Sequence, residues 1–129
     1  MGLEPSLKRA VKRIADALHE YAGARGWRYA PHAEWKSGKE YYIDIVVNVE
    51  WFRIYTTFAA SEFEGWDFYE RFRSVHEFLR AKLVDEPDLL RAIVLVTKNP
   101  LEFDTGGDVP LGRFDEQVDE ALIEASARV

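Results

Sequence analysis

From Tyr41 to Phe58 apolar and polar residues alternate, and the alternation changes phase once. Tyr41, Ile43, Ile45, Val47 and Val49 take the odd positions, against the more polar set Tyr42, Asp44, Val46, Asn48 and Glu50. After Trp51 the apolar set is even: Phe52, Ile54, Thr56 and Phe58, opposite Arg53, Tyr55 and Thr57. Neighbouring side chains on a strand face opposite sides, so one continuous strand would turn its second apolar half into water. The chain must bulge or reverse near Asn48–Trp51. A hairpin of two antiparallel strands, over about 40–48 and 51–59, satisfies both halves.

Helical periodicity flanks this hairpin. Leu7, Val11, Ile14, Leu18 and Tyr21 fall on one stripe and predict a helix over about 5–23, with Pro5 in its first turn and Gly23 or Gly26 past its end. Phe68, Phe72, Val75, Leu79 and Leu83 predict a second helix over about 67–84, capped by Asp67 with Glu70 at the capping-box position. Phe114, Val118, Leu122, Ala125 and Val129 predict a third, acidic in its first half. Trp27–Trp35 reads as a strand broken or placed at an edge by Pro31, followed by a hairpin turn at Lys36–Lys39. Ala60–Gly65 reads as a loop. The unbroken apolar run Ile93–Thr97 is expected of a central strand covered on both faces, and Asn99–Pro100 ends it. Residues 98–112, rich in Gly and Pro, form a loop with room for a short strand at Leu101–Phe103. The order α-β-β-β-α-β-(β)-α predicts an α+β domain over 1–129, with an antiparallel sheet of four to five strands and helices on one face.

Charge and composition exclude several function classes. The chain of 129 residues has no cysteine, which removes disulfides, Cys-ligated zinc, iron–sulfur clusters and thiol catalysis. A net charge of −6 argues against duplex nucleic acid, whose binders neutralise phosphates. The basic cluster Lys8, Arg9, Lys12 and Arg13 leaves a nucleic-acid reading as a minor alternative. Residues 14–20 are interrupted by charge and make no signal-peptide core, and no apolar run is long enough to span a bilayer. A cytoplasmic protein without membrane contact is the expectation.

Motif chemistry is sparse. Phosphate-binding glycine loops, H-E-x-x-H and a nucleophilic serine elbow are all missing. His19 and His76 sit at the margins of helical stripes. His32 and Glu34 alternate onto one face of the first predicted strand, and with Asp44 they make the catalytic alternative, a metal-dependent hydrolase. Glu34-Trp35-Lys36 resembles the E-x-K of restriction-endonuclease-type nucleases, except that Asp44 follows this triplet where the family has an acid before it. Asp104–Asp108 lacks the further ligands of a calcium loop. No cofactor or resident metal is expected.

Aromatic residues carry the positive signal. Of 18, 15 lie between Trp27 and Phe78. Adjacent pairs such as Tyr41-Tyr42 and Trp51-Phe52 cannot both point inward on a strand. Part of the aromatic set must lie on a second surface, where such side chains favour protein contacts. Trp51, Tyr55, Trp66 and Tyr69 are the candidate binding residues.

The Leu7–Tyr21 stripe, the Tyr41–Phe58 hairpin, the Phe68–Leu83 stripe, the Ile93–Thr97 strand and the acidic stretch from Phe114 follow one another in an order that resembles the type III secretion chaperones and the related YbjN-like bacterial proteins. The resemblance spans about 5–127 and is one of element order. It implies a non-catalytic bacterial protein that binds other chains, chaperone- or adaptor-like, and forms homodimers through the sheet or the second helix.

Overall fold

The computed structural model describes residues 5–105 and 116–118. Helix α1 covers Pro5–Ala24 and buries Val11, Ile14, Leu18 and Tyr21, the stripe its spacing defines. Gly26 then takes a left-handed φ of +78°, and the Trp27 amide reaches back to the Ala22 carbonyl at 3.0 Å, which closes the helix. Strand β1 is only Arg28–Tyr29, and a 3₁₀ turn follows at His32–Glu34. Strands β2, Glu40–Asn48, and β3, Arg53–Ala60, are antiparallel, with Tyr41 opposite Ala60 and Asn48 opposite Arg53. The phase change at 48–51 is therefore a hairpin, and its tip is Val49–Phe52.

A second 3₁₀ turn, Ser61–Gly65, seats Phe63 in the core where a plain loop was expected. Helix α2 covers Phe68–Lys82, and Asp67 Oδ1 accepts from the Tyr69 amide at 2.7 Å, the expected cap. Helix α3, Pro87–Ala92, leads into strand β4, Ile93–Lys98, and helix α4 covers Pro100–Thr105. Strand β5 is Glu116–Val118. Val11, Ile14 and Leu18 of α1 and Val75 and Leu79 of α2 form one core with Ile43, Ile45 and Val47 of β2 and Ile54 and Phe58 of β3. Both long helices thus serve the same sheet face.

The sheet is mixed, a correction to the antiparallel expectation. Its order is β1-β2-β3-β4, with β5 also paired to β2. Strands β3 and β4 run parallel, Ile54 beside Ile93 and Ala59 beside Lys98. The cause is α2: a helix between two strands carries the chain back to the starting end of the sheet, and the next strand repeats the direction of the first. Strand β1 is parallel to β2 as well, so Lys36–Lys39 is no hairpin turn. Strand β1 pairs only Glu40–Tyr41, and β5 takes the rest of the same edge, antiparallel, at Ile45–Val47.

Three more expectations change. Among the described residues Ile93–Thr97 is not central: β4 ends the sheet order, and Ile93, Val94, Leu95 and Val96 are half-buried. Leu101–Phe103 is helical because Asn99 caps it; Asn99 Oδ1 accepts from the Glu102 amide at 2.8 Å, Glu102 Oε1 accepts from the Asn99 amide at 3.0 Å, and Pro100 fills the first helical position. Within the expected third helix, 116–118 is strand; Phe114, Leu122, Ala125, Val129 and the Gly-rich stretch 106–112 lie outside the described residues.

Candidate functional site

The residues singled out for a metal site fall in two elements, His32 and Glu34 in one turn and Asp44 in β2. His32 and Glu34 belong to the 3₁₀ turn and do not alternate on a strand, because Pro31, with φ −63° and ψ 152°, leads straight into that turn. His32 packs edge-on against Trp35, at 4.9 Å between ring centres. Asp44 lies mid-strand in β2, opposite Thr57. Among the described residues no three His, Cys, Asp or Glu side chains group so as to hold a metal ion.

The loop that carries Glu34 and Lys36 is organised by a residue that motif reading passed over. Glu40, 1% exposed, accepts from the amides of Lys36 at 2.7 Å, Ser37 at 2.8 Å and Gly38 at 3.1 Å, and from the Ser37 hydroxyl at 3.0 Å. Hydrogen bonds from the Lys36 and Ser37 amides lower its carboxyl from an ordinary 4.5 to about 2, against the opposing effect of burial. Gly38, with φ +83°, supplies the left-handed turn. A sequence signal exists: a carboxylate directly after a Lys-Ser-Gly-Lys turn lies two to four residues beyond that turn's first three amides and is placed to collect them.

A second buried charge joins three elements. Arg71 of α2, 1% exposed, donates to Thr97 Oγ1 at 3.1 Å and to the Thr97 carbonyl at 3.4 Å, and pairs with Glu102 of α4. Its guanidinium lies 5.1 Å from the centre of the Phe68 ring.

The four candidate binding residues fall in three places. Trp51 is 69% exposed at the hairpin tip, beside exposed Val49 and Phe52. Tyr55 is half-buried on the sheet face away from α1, in a row with Val46 and Val94. Trp66 and Tyr69 lie beyond the other end of β3, so the length of that strand separates them from Trp51. Trp66 packs on Phe63 at 5.2 Å, and Tyr69 is 64% exposed. Tyr69 lines a shallow groove on the outer face of α2 with Asp67, Glu70, Arg73, Ser74 and Glu77. Next to it, Arg25 rests on the rings of Tyr21, Trp66 and Trp27, at 4.6, 5.1 and 5.7 Å from their centres.

Two of the four residues of the basic cluster, Lys12 and Arg13, are engaged in ion pairs. Lys12 pairs with Asp16 at 2.6 Å, while Arg13 pairs with Glu86 and, at 3.0 Å, with Asp85. The Arg13 hydrogen bond holds the Asp85 carboxyl below its ordinary value. Among the described residues no helix is long and apolar enough to cross a membrane.

Fold and surface together define an α+β domain with a mixed sheet, an apolar strand at one edge and exposed aromatics at both ends of its hairpin. Comparison with known protein families, with curated proteins and with solved structures finds no match for this chain.

Proposed function

We propose that this chain is a non-enzymatic protein-binding module, adaptor- or chaperone-like, that works as a homodimer in the cytoplasm. The observation that carries the reading is the outer edge of β4. Ile93-Val94-Leu95-Val96-Thr97 is apolar and β-branched and has no proline, and its lone charge, Lys98, comes at the end. Among the described residues no strand pairs that edge. Unprotected edges of this composition are where chains add to one another, and most natural edges are blunted by charge, proline or a bulge. A two-fold axis through the edge pairs β4 with its own copy antiparallel, a self-complementary contact.

Light scattering at micromolar concentration tests it. The expected mass is twice 14.9 kDa. Val94→Lys sets like charges near the axis and is expected to give a folded monomer. A wild-type monomer over the whole range overturns the reading.

A further inference from the structure

We propose that the groove on the outer face of α2 docks a basic polypeptide segment, one of whose cationic side chains takes the place of Arg25 on the rings of Tyr21, Trp27 and Trp66. The inference rests on the protein-binding reading and names the chemistry of the partner. The groove sets three carboxylates, Asp67, Glu70 and Glu77, against one guanidinium, Arg73. That guanidinium is itself turned to Glu77, at 3.5 Å. The lining therefore carries an excess of negative charge, and its complement is a lysine- or arginine-rich segment. Exposed Tyr69 gives such a segment a flat apolar wall.

Ser74 joins the groove to the ring cluster. Its Oγ lies in the groove lining, 2.7 Å from the Tyr21 hydroxyl and 3.4 Å from Arg25 Nη2. Tyr21 and Trp27 are 4% and 7% exposed, so these rings are fixed by the core, and Trp66 is packed against it. Arg25, in contrast, is exposed on the turn that follows α1 and is held by one long hydrogen bond, by the rings and by the nearby charge of Glu62. Ring faces attract any guanidinium or ammonium group. The geometry is that of a cation site filled by the chain's own side chain at the mouth of an acidic groove. Displacing Arg25 exposes a guanidinium that water solvates readily, and the incoming cation keeps the ring contacts.

Tryptophan fluorescence of the full chain reads the site, because two of the four Trp residues border it. The probe is an alternating arginine–glycine hexapeptide, with a glutamate–glycine hexapeptide as control. A saturable change with the arginine peptide alone is expected. Removing the internal occupant by Arg25→Ala is expected to tighten binding about threefold, the size of one exposed cation–π contact. Glu70→Lys with Glu77→Lys is expected to weaken it about tenfold, as two surface charges reverse. No saturable change in either wild type or Arg25→Ala overturns the proposal, as do an equal response to the glutamate peptide and indifference to the double reversal. Thermal midpoints of the variants read folding separately. Masses from light scattering keep the two readings apart: a dimer that ignores the peptide overturns the groove alone, and a monomer that binds it overturns the dimer alone. A mass above the dimer for Arg25→Ala makes a further copy of this chain the occupant and overturns the partner.

Discussion

Glu40 shows how one side chain decides the course of a segment. The chain must travel from β1 to the start of β2 and run in the same direction, and the amides of Lys36, Ser37 and Gly38 turn inward on that path. A carboxylate accepts all three at once, whereas an amide offers a single oxygen. Glu40→Gln is therefore expected to lower Tm at neutral pH. The sign follows from the lowered pKa: the carboxylate's contribution is complete above about 4.5 and is lost as pH falls toward about 2. The gap between wild type and Glu40→Gln in thermal melts should narrow over that window, and a gap independent of pH would contradict the account. Arg71 is the other residue of this kind. Arg71→Met keeps the apolar stem and removes the bonds to Thr97 and Glu102, and is expected to cost about 2 kcal/mol in urea unfolding at neutral pH.

Elements with a repeating pattern were legible from sequence, and those fixed by one or two side chains were not. The stripes of α1 and α2 and the phase change between β2 and β3 each rest on several residues that agree, and the structure places them within about two residues of the expected bounds. α4 rests on the reciprocal pair Asn99 and Glu102, and Asn-Pro reads as a strand breaker when only the proline is weighed. β5 is three residues paired to an edge left open by a two-residue β1, which no local pattern of 116–118 records. The candidate site divides the same way. Exposed aromatics were expected and occur at Trp51 and Tyr69, yet the sequence could not tell that β3 holds them apart. The groove on α2 needs the partnership of Ser74 with Tyr21 and Arg25, residues some fifty positions away. Two element-level outcomes follow. Asn99→Ala removes the α4 cap and is expected to cost about 1 kcal/mol in the same unfolding assay, with Asn99→Asp close to wild type. Phe52, at the hairpin tip, holds a left-handed φ of 49°, a conformation that Asn tolerates better. Phe52→Asn is expected to be neutral or to raise Tm slightly, despite the loss of a large apolar side chain.

At the scale of the molecule the sheet has two unequal edges. The β2 side is shared by β1 and β5, and the β4 side has no strand beside it among the described residues. A chain whose folded form associates along one edge is stabilised by mass action, because only folded protomers present that edge. Tm of the wild type is then expected to rise with protein concentration, by a few degrees for each kcal/mol that association adds in a domain of this size. Val94→Lys is expected to abolish the dependence and leave a Tm equal to that of the dilute wild type. The same measurement on Glu70→Lys with Glu77→Lys should keep the dependence intact, because α2 meets the partner of the proposed groove on its outer face and not along β4. A Tm that is flat with concentration in the wild type would contradict self-pairing along β4.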